Sequence, residues 1–262
     1  MFEPPKDYHN AEIEAALSAA LVSKRSEEKP RSYLGASRWG HHCERALGYE
    51  YHRTPKDAGS GFKADTYRIF DMGHDVERRA AEYLIMAGYD LQTHGKNGKQ
   101  LGFMVANDRL GGHCDGVIHS GPGITKAPLI WECKGLNDKS WNDTKAKGVK
   151  VSKPVYYAQM QTYIAYMTLE GYMFTAINRN TGEVFIELGE PDMRTAQEVS
   201  DRAGRVVEAE SPEDLPRCAA EETDWRCKFC DYKRTCWNKD KAVPSVPGFG
   251  ISFNINNKQR TR

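Results

Sequence analysis

The sequence predicts a mixed α/β core flanked by helices, and three observations carry that prediction. An apolar period of helical spacing runs through about 62–87, with Ile69, Gly73, Val76, Ala80 and Leu84 on one face and Gly88 closing it. Three short apolar segments follow, LGFMVAN, LGGHCDGVI and PLIWECK, separated by turn residues as strands are. A second helix then opens at Pro154, a favourable first helical position, and gives way to a hairpin pattern. Helix, strands, helix and hairpin in this order imply one mixed sheet with helices packed on it.

The remaining elements fall around that core. A short helix is predicted over Glu12–Ser23, where Ile13, Ala16, Leu17, Ala20 and Leu21 recur at helical spacing. The charged stretch SKRSEEKPRS reads as a linker, and a short helix is expected after Cys43. The helix from Pro154 runs to about Leu169. YMFTAIN and EVFIELG form the hairpin across Arg179–Gly182, and a further helix covers about Asp192–Ala209. The expected division is 1–31 as an N-terminal extension, 32–60 and 211–240 as two parts of a cysteine-rich module, 61–210 as the core, and 241–262 as a basic tail.

Composition narrows the function classes. The chain has 262 residues, a net charge of +1, 39% apolar and 28% charged residues, and a mean hydropathy of −0.69. That describes a globular chain with room for a large core, not a disordered one. No run approaches the roughly 20 apolar residues of a membrane span. The segment MFEPPKDYHN lacks the basic and apolar regions of a secretory signal, so a cytoplasmic location is expected. Near-neutral charge excludes a simple polycation but leaves room for a local basic lane.

The sharpest chemistry lies in GGHCDGVI and LIWECKG. Alternation along a strand puts Glu132 and Lys134 on one face and Trp131 and Cys133 on the other. Paired as an antiparallel hairpin, Asp115 and Glu132 have an index sum of 247, centred between Gly123 and Ile124 inside the connecting loop. The two acids therefore stand opposite each other beside Lys134. Two close carboxylates suit a hard cation, Mg²⁺ or Mn²⁺, to which the Cys133 carbonyl adds an oxygen. Such an ion polarises a phosphodiester, and Lys134 would orient a water and offset developing charge. On these residues alone the pattern fits a catalytic centre or a solvated sheet face. On the first long helix, Glu77 follows Gly73 by four residues and falls on the apolar side, where an acid is unexpected unless it reaches a metal. Gln159 and Tyr163, four apart, share one face of the second helix.

These residues resemble the PD-(D/E)XK nuclease superfamily. GHCDG with ECK is similar to its catalytic motif. YYAQMQTYIAYM resembles the Gln-x-x-x-Tyr helix of the RecB-type and lambda-exonuclease-like branches, and GHDVE the first-helix motif. The motifs run in family order over 73–163. Cys227-Lys-Phe-Cys230, then Cys236 after five residues, with a lone upstream Cys43, is similar to the iron-staple arrangement of AddB-type and CRISPR-associated RecB-like exonucleases. The resemblance implies a restriction-endonuclease-like fold and a 4Fe–4S cluster on Cys43, Cys227, Cys230 and Cys236. It makes Asp115, Glu132 and Lys134 the catalytic set, with Glu77 as a further metal ligand and Gln159 and Tyr163 positioning the site or DNA. Structural Zn²⁺ is the alternative occupant of the thiols, and Cys218 could replace Cys43 in a local site. Where several iron-staple nucleases have His, this chain has Glu77.

The implied activity is a Mg²⁺- or Mn²⁺-dependent DNA exonuclease acting on single-stranded or resected ends, in recombination, repair or replication. Its partners would be DNA and recombination or replication proteins. The alternatives are a structure-specific endonuclease or nickase on the same core, and a zinc-stabilised, non-catalytic nucleic-acid-binding subunit. Between Lys134 and Lys153 six lysines face two acids. Lys139, Lys145, Lys147, Lys150 and Lys153, with Trp141 as a stacking ring, fit a strand-tracking lane or a basic surface loop.

Overall fold

The computed structural model describes residues 10–237. Helix α1 (Ala11–Ser26) leads to a short strand β1 (Leu34–Gly35) and two short helices, α2 (Ala36–Trp39) and α3 (Glu44–Tyr51). The long helix α4 (Ala64–Met86) follows, then strands β2 (Asp90–Gln92), β3 (Gly102–Val105), β4 (Leu110–His113), β5 (Gly116–Ser120) and β6 (Leu129–Leu136). Helices α5 (Asp138–Ser152) and α6 (Pro154–Met167), the hairpin β7 (Gly171–Asn178) and β8 (Val184–Gly189), helix α7 (Met193–Glu208) and the one-turn α8 (Lys233–Trp237) complete it.

A five-stranded sheet in the order β2-β5-β6-β7-β8 forms the centre, and only its β6–β7 pair is parallel. A smaller sheet, β1-β4-β3, stands beside it. Strand β6 is buried on both faces along most of its length, as a central strand must be. Its Ile130 and Leu136 join the larger core beneath α6 and α7, while Trp131 and Cys133 pack with Ala80 and Leu84 of α4 on the other face. Helix α7 buries Ala196, Val199, Ala203, Val206 and Val207, one stripe at helical spacing. Helix α6 is buried without a break from Tyr157 to Ile164 because the sheet, α2 and α7 pack around it.

Two expectations need correction here. Of the two readings of the basic stretch after Lys134, the surface loop is replaced by helix α5, kinked at Gly148, whose φ of +74° favours glycine. Ile69 on α4 is 45% exposed, and α1, which packs against this helix, buries no residue of its own.

Residues 45–57 meet residues 213–235 through hydrogen bonds and an ion pair. Arg45 donates to the carbonyls of Leu215 and Glu213. Lys56 pairs with Asp231 at 2.7 Å. The Asp57 carboxylate accepts from the backbone N–H groups of Arg234 and Thr235, capping α8 from a residue far earlier in the chain.

Candidate active site

Strand β4 belongs to the small sheet and β5 to the large one, so the backbone changes sheets at Cys114 and Asp115. Three bonds fix that crossing. Cys114 N–H donates to the Leu101 carbonyl at 2.9 Å, Gln100 Nε2 to the Cys114 carbonyl at 2.9 Å, and Tyr163 Oη to the His113 carbonyl at 2.7 Å. Gly112 permits the close approach of α6, since a Cβ there would stand 2.6 Å from Tyr163 Oη. Below the crossing, Gly116 pairs with Trp131, the register expected from the index sum of 247. Above it, the Asp115 carboxylate replaces the backbone as partner of β6. Its Oδ2 accepts the Cys133 N–H at 2.8 Å.

The predicted triad is therefore together. Glu132 is fully buried, and its Oε2 accepts from Gln159 Nε2 at 3.1 Å. Lys134 Nζ lies 2.6 Å from Glu132 Oε1 and 3.5 Å from Asp115 Oδ2, and donates to the Cys133 carbonyl at 3.0 Å. The Glu132 Oε1 contact is an ion pair without hydrogen-bond geometry, so this buried oxygen accepts no hydrogen bond. An ammonium thus occupies the place where three oxygens from three different groups converge. It also lies 5.5 Å from the centre of the Tyr156 ring, a contact that nothing in the sequence pattern marked.

Electrostatics follow from that crowding. Burial, and then the Asp115 charge, push the Glu132 carboxyl up to about 7. Burial opposes the Lys134 ammonium, but the attraction of Glu132 and Asp115 outweighs it, and its pKa is raised well above the ordinary lysine value. Glu77, partly buried on α4, is raised by burial and by Asp115, and His74 Nδ1 stands 3.8 Å from its carboxylate. Burial raises the Tyr163 phenol, which here is a donor and not a base.

The predicted lane divides. Lys139, Lys145, Lys147 and Lys150 are exposed on α5. Lys147 pairs with Asp143 at 2.6 Å, Lys150 with Asp192 at 2.9 Å, and Lys153 stands 3.9 Å from Asp143. Trp141 corrects the expectation. It is 2% exposed and its indole N–H donates to the Ala176 carbonyl, so its ring offers no face to a base. The apolar period of α5 turns this residue into the core. The basic tail lies outside the described residues.

Cys43, Cys218, Cys227, Cys230 and Cys236 line one cavity of about 840 Å³. All seven cysteines of the chain are free thiols, and Cys114 and Cys133 are buried in the core. Cys43 thus lies with the C-terminal cysteines. Among the described residues, no group of three or more His, Cys, Asp or Glu side chains is already disposed to hold a metal ion, either here or at Glu132.

No family model matches the sequence, and no curated protein matches it. Solved structures do. The crystal structure of SSO0001 is 15% identical, with a TM-score of 0.50, covering 87% of this chain and 96% of that one. The likeness is one of fold. An alkaline exonuclease, LHK-Exo, from Laribacter hongkongensis is 16% identical over 74% of this chain and 90% of that one, with a TM-score of 0.46. A phage-related exonuclease from Haemophilus somnus 129PT is 12% identical over 67% and 92%, also with a TM-score of 0.46. The chemistry of this chain rests on its own side chains.

Proposed function

We propose that the chain is a divalent-metal-dependent exonuclease that hydrolyses phosphodiester bonds at DNA ends, in recombination, repair or replication. The observation that carries this reading is the convergence of Asp115 Oδ2, Glu132 Oε1 and the Cys133 carbonyl on one cationic group, the Lys134 ammonium. Hard oxygens around a buried carboxylate atom that accepts no hydrogen bond suit Mg²⁺ or Mn²⁺. Asp115, Glu132 and the Cys133 carbonyl would hold the ion, with Glu77 adding a fourth group. When bound, it supplies Lewis acidity to the phosphodiester and eases ionisation of water.

The side chains divide the remaining work. Lys134 orients the attacking water and offsets charge that builds on the phosphoryl oxygens. Gln159 holds the Glu132 carboxylate in one orientation through its Oε2. Tyr163 fixes the His113 carbonyl and with it the sheet crossing that carries Asp115. The exposed lysines of α5 track the phosphates. Cys43, Cys227, Cys230 and Cys236 would hold a 4Fe–4S cluster, or Zn²⁺, tying the chain's two ends together. Their position on one cavity wall supports this assignment.

The test is cleavage of end-labelled linear DNA with Mg²⁺ or Mn²⁺. Asp115→Ala, Glu132→Ala and Lys134→Ala should each lower the rate by about 100-fold or more, and Lys134→Ala should still bind DNA. Near wild-type cleavage by any of the three would refute the site. Cleavage of closed circular strands would replace exonuclease by endonuclease.

A further inference from the structure

Beside the cysteine cavity three aromatic rings form a ladder. His41 and His42 stack with centroids 4.3 Å apart and planes 28° apart, and His42 is followed by Trp225 at 6.4 Å and 34°. The lowest rung is anchored. Cys43 N–H donates to His41 Nδ1 at 3.2 Å, and Arg202 donates to the His41 carbonyl at 3.2 Å. The top rung is different. Trp225 is 77% exposed, yet it starts a 3₁₀ turn, Trp225–Cys227, that Asp224 caps and that Cys227 N–H closes onto the Asp224 carbonyl at 2.9 Å.

An indole held on an ordered turn and left open to water is an unfilled stacking surface, since burying such a ring is normally favourable. Phe229, 87% exposed, follows within the same segment, and Lys228 Nζ lies 5.4 Å from its ring centre. Exposed rings on a cavity rim that Arg38, Arg217, Lys228 and Lys233 also line match the chemistry of an unpaired base with its phosphate. An apolar peptide would need a groove of aliphatic contacts, whereas this rim is aromatic and basic.

We infer that Trp225 is the exposed ring of a base-stacking site that takes an unpaired nucleobase of single-stranded DNA, with the basic rim of the same cavity available to its phosphate. The inference rests on the nuclease reading for its choice of DNA, but it is a binding site apart from Asp115, Glu132 and Lys134. It also moves the stacking role from the buried Trp141 to a ring on the cysteine module.

The test measures equilibrium binding of the full chain to a fluorescein-labelled oligothymidylate in EDTA, where no cleavage occurs, and to the same backbone carrying abasic residues. Trp225→Ala should weaken oligothymidylate binding by roughly 10-fold or more, and Trp225→Phe by less than about threefold. Abasic binding should be the same for all three proteins, and the salt dependence of binding should not change, because no charge is removed. The circular dichroism and melting temperature of the variants control for folding. Oligothymidylate binding by Trp225→Ala within about twofold of wild type would overturn the inference, as would equal loss on both oligomers. The two readings fail separately. Cleavage that survives Trp225-independent binding removes only the stacking site, and Trp225-dependent binding without any cleavage removes only the nuclease.

Discussion

Replacing Glu132 by Gln should stabilise the metal-free protein. Glu132 is fully buried, and its pKa is raised from 4.5 to about 7 by burial and by Asp115. A group raised in the fold contributes stability that is complete below its unfolded pKa and lost as pH rises through the folded value. Ionising Glu132 between pH 4.5 and 7 therefore costs the fold about 3 kcal/mol, with the attraction of Lys134 already included. Gln keeps the shape and carries no charge, and the Gln159 amide can turn to meet it. In EDTA, wild type and Glu132→Gln should have similar melting temperatures near pH 4.5. By pH 8 the variant should melt higher by roughly 6–12 °C. Excess Mn²⁺ should raise the melting temperature of wild type more than that of the variant, which has lost one of the carboxylates that would hold the ion. Thermal scans from pH 4.5 to 8 with and without Mn²⁺ measure both effects. A variant less stable than wild type at pH 8, or a difference that does not grow with pH, would refute the reasoning.

Two further outcomes follow from the same geometry. Glu77→Gln should weaken the Mn²⁺ requirement curve by about 10-fold in half-saturating concentration, with cleavage partly restored by excess Mn²⁺; an unchanged titration would make Glu77 structural. Cys43→Ser should lose iron and heat stability, while Cys218→Ser keeps iron and cleavage; metal analysis and melting of both variants decide it, and the reverse pattern would place the site among the C-terminal cysteines alone.

The sequence determined what depends on spacing along one chain segment. Strand alternation and the index sum placed Asp115 across from β6 in the register observed, because opposed residues in an antiparallel pair are fixed by the loop centre alone. Helical period located α4, α6 and α7, and the four-residue step joined Gln159 to Tyr163. Only the tertiary structure decided what depends on elements far apart meeting in space. The crossing from β4 to β5 divides one predicted strand between two sheets, and its cause is the set of partners on Leu101, Gln100 and Tyr163. The Lys134 ammonium reaches all three site oxygens because Asp115 turns up to β6 at that crossing. Burial separated two tryptophans that composition could not tell apart. Trp141 enters the core because α5 packs on β7, and Trp225 is exposed because its turn is held by its own cap and, among the described residues, no element lies over the ring. A residue's type and spacing set which contacts it can make, but solvent access is fixed by what packs above it, and that is a property of the whole fold.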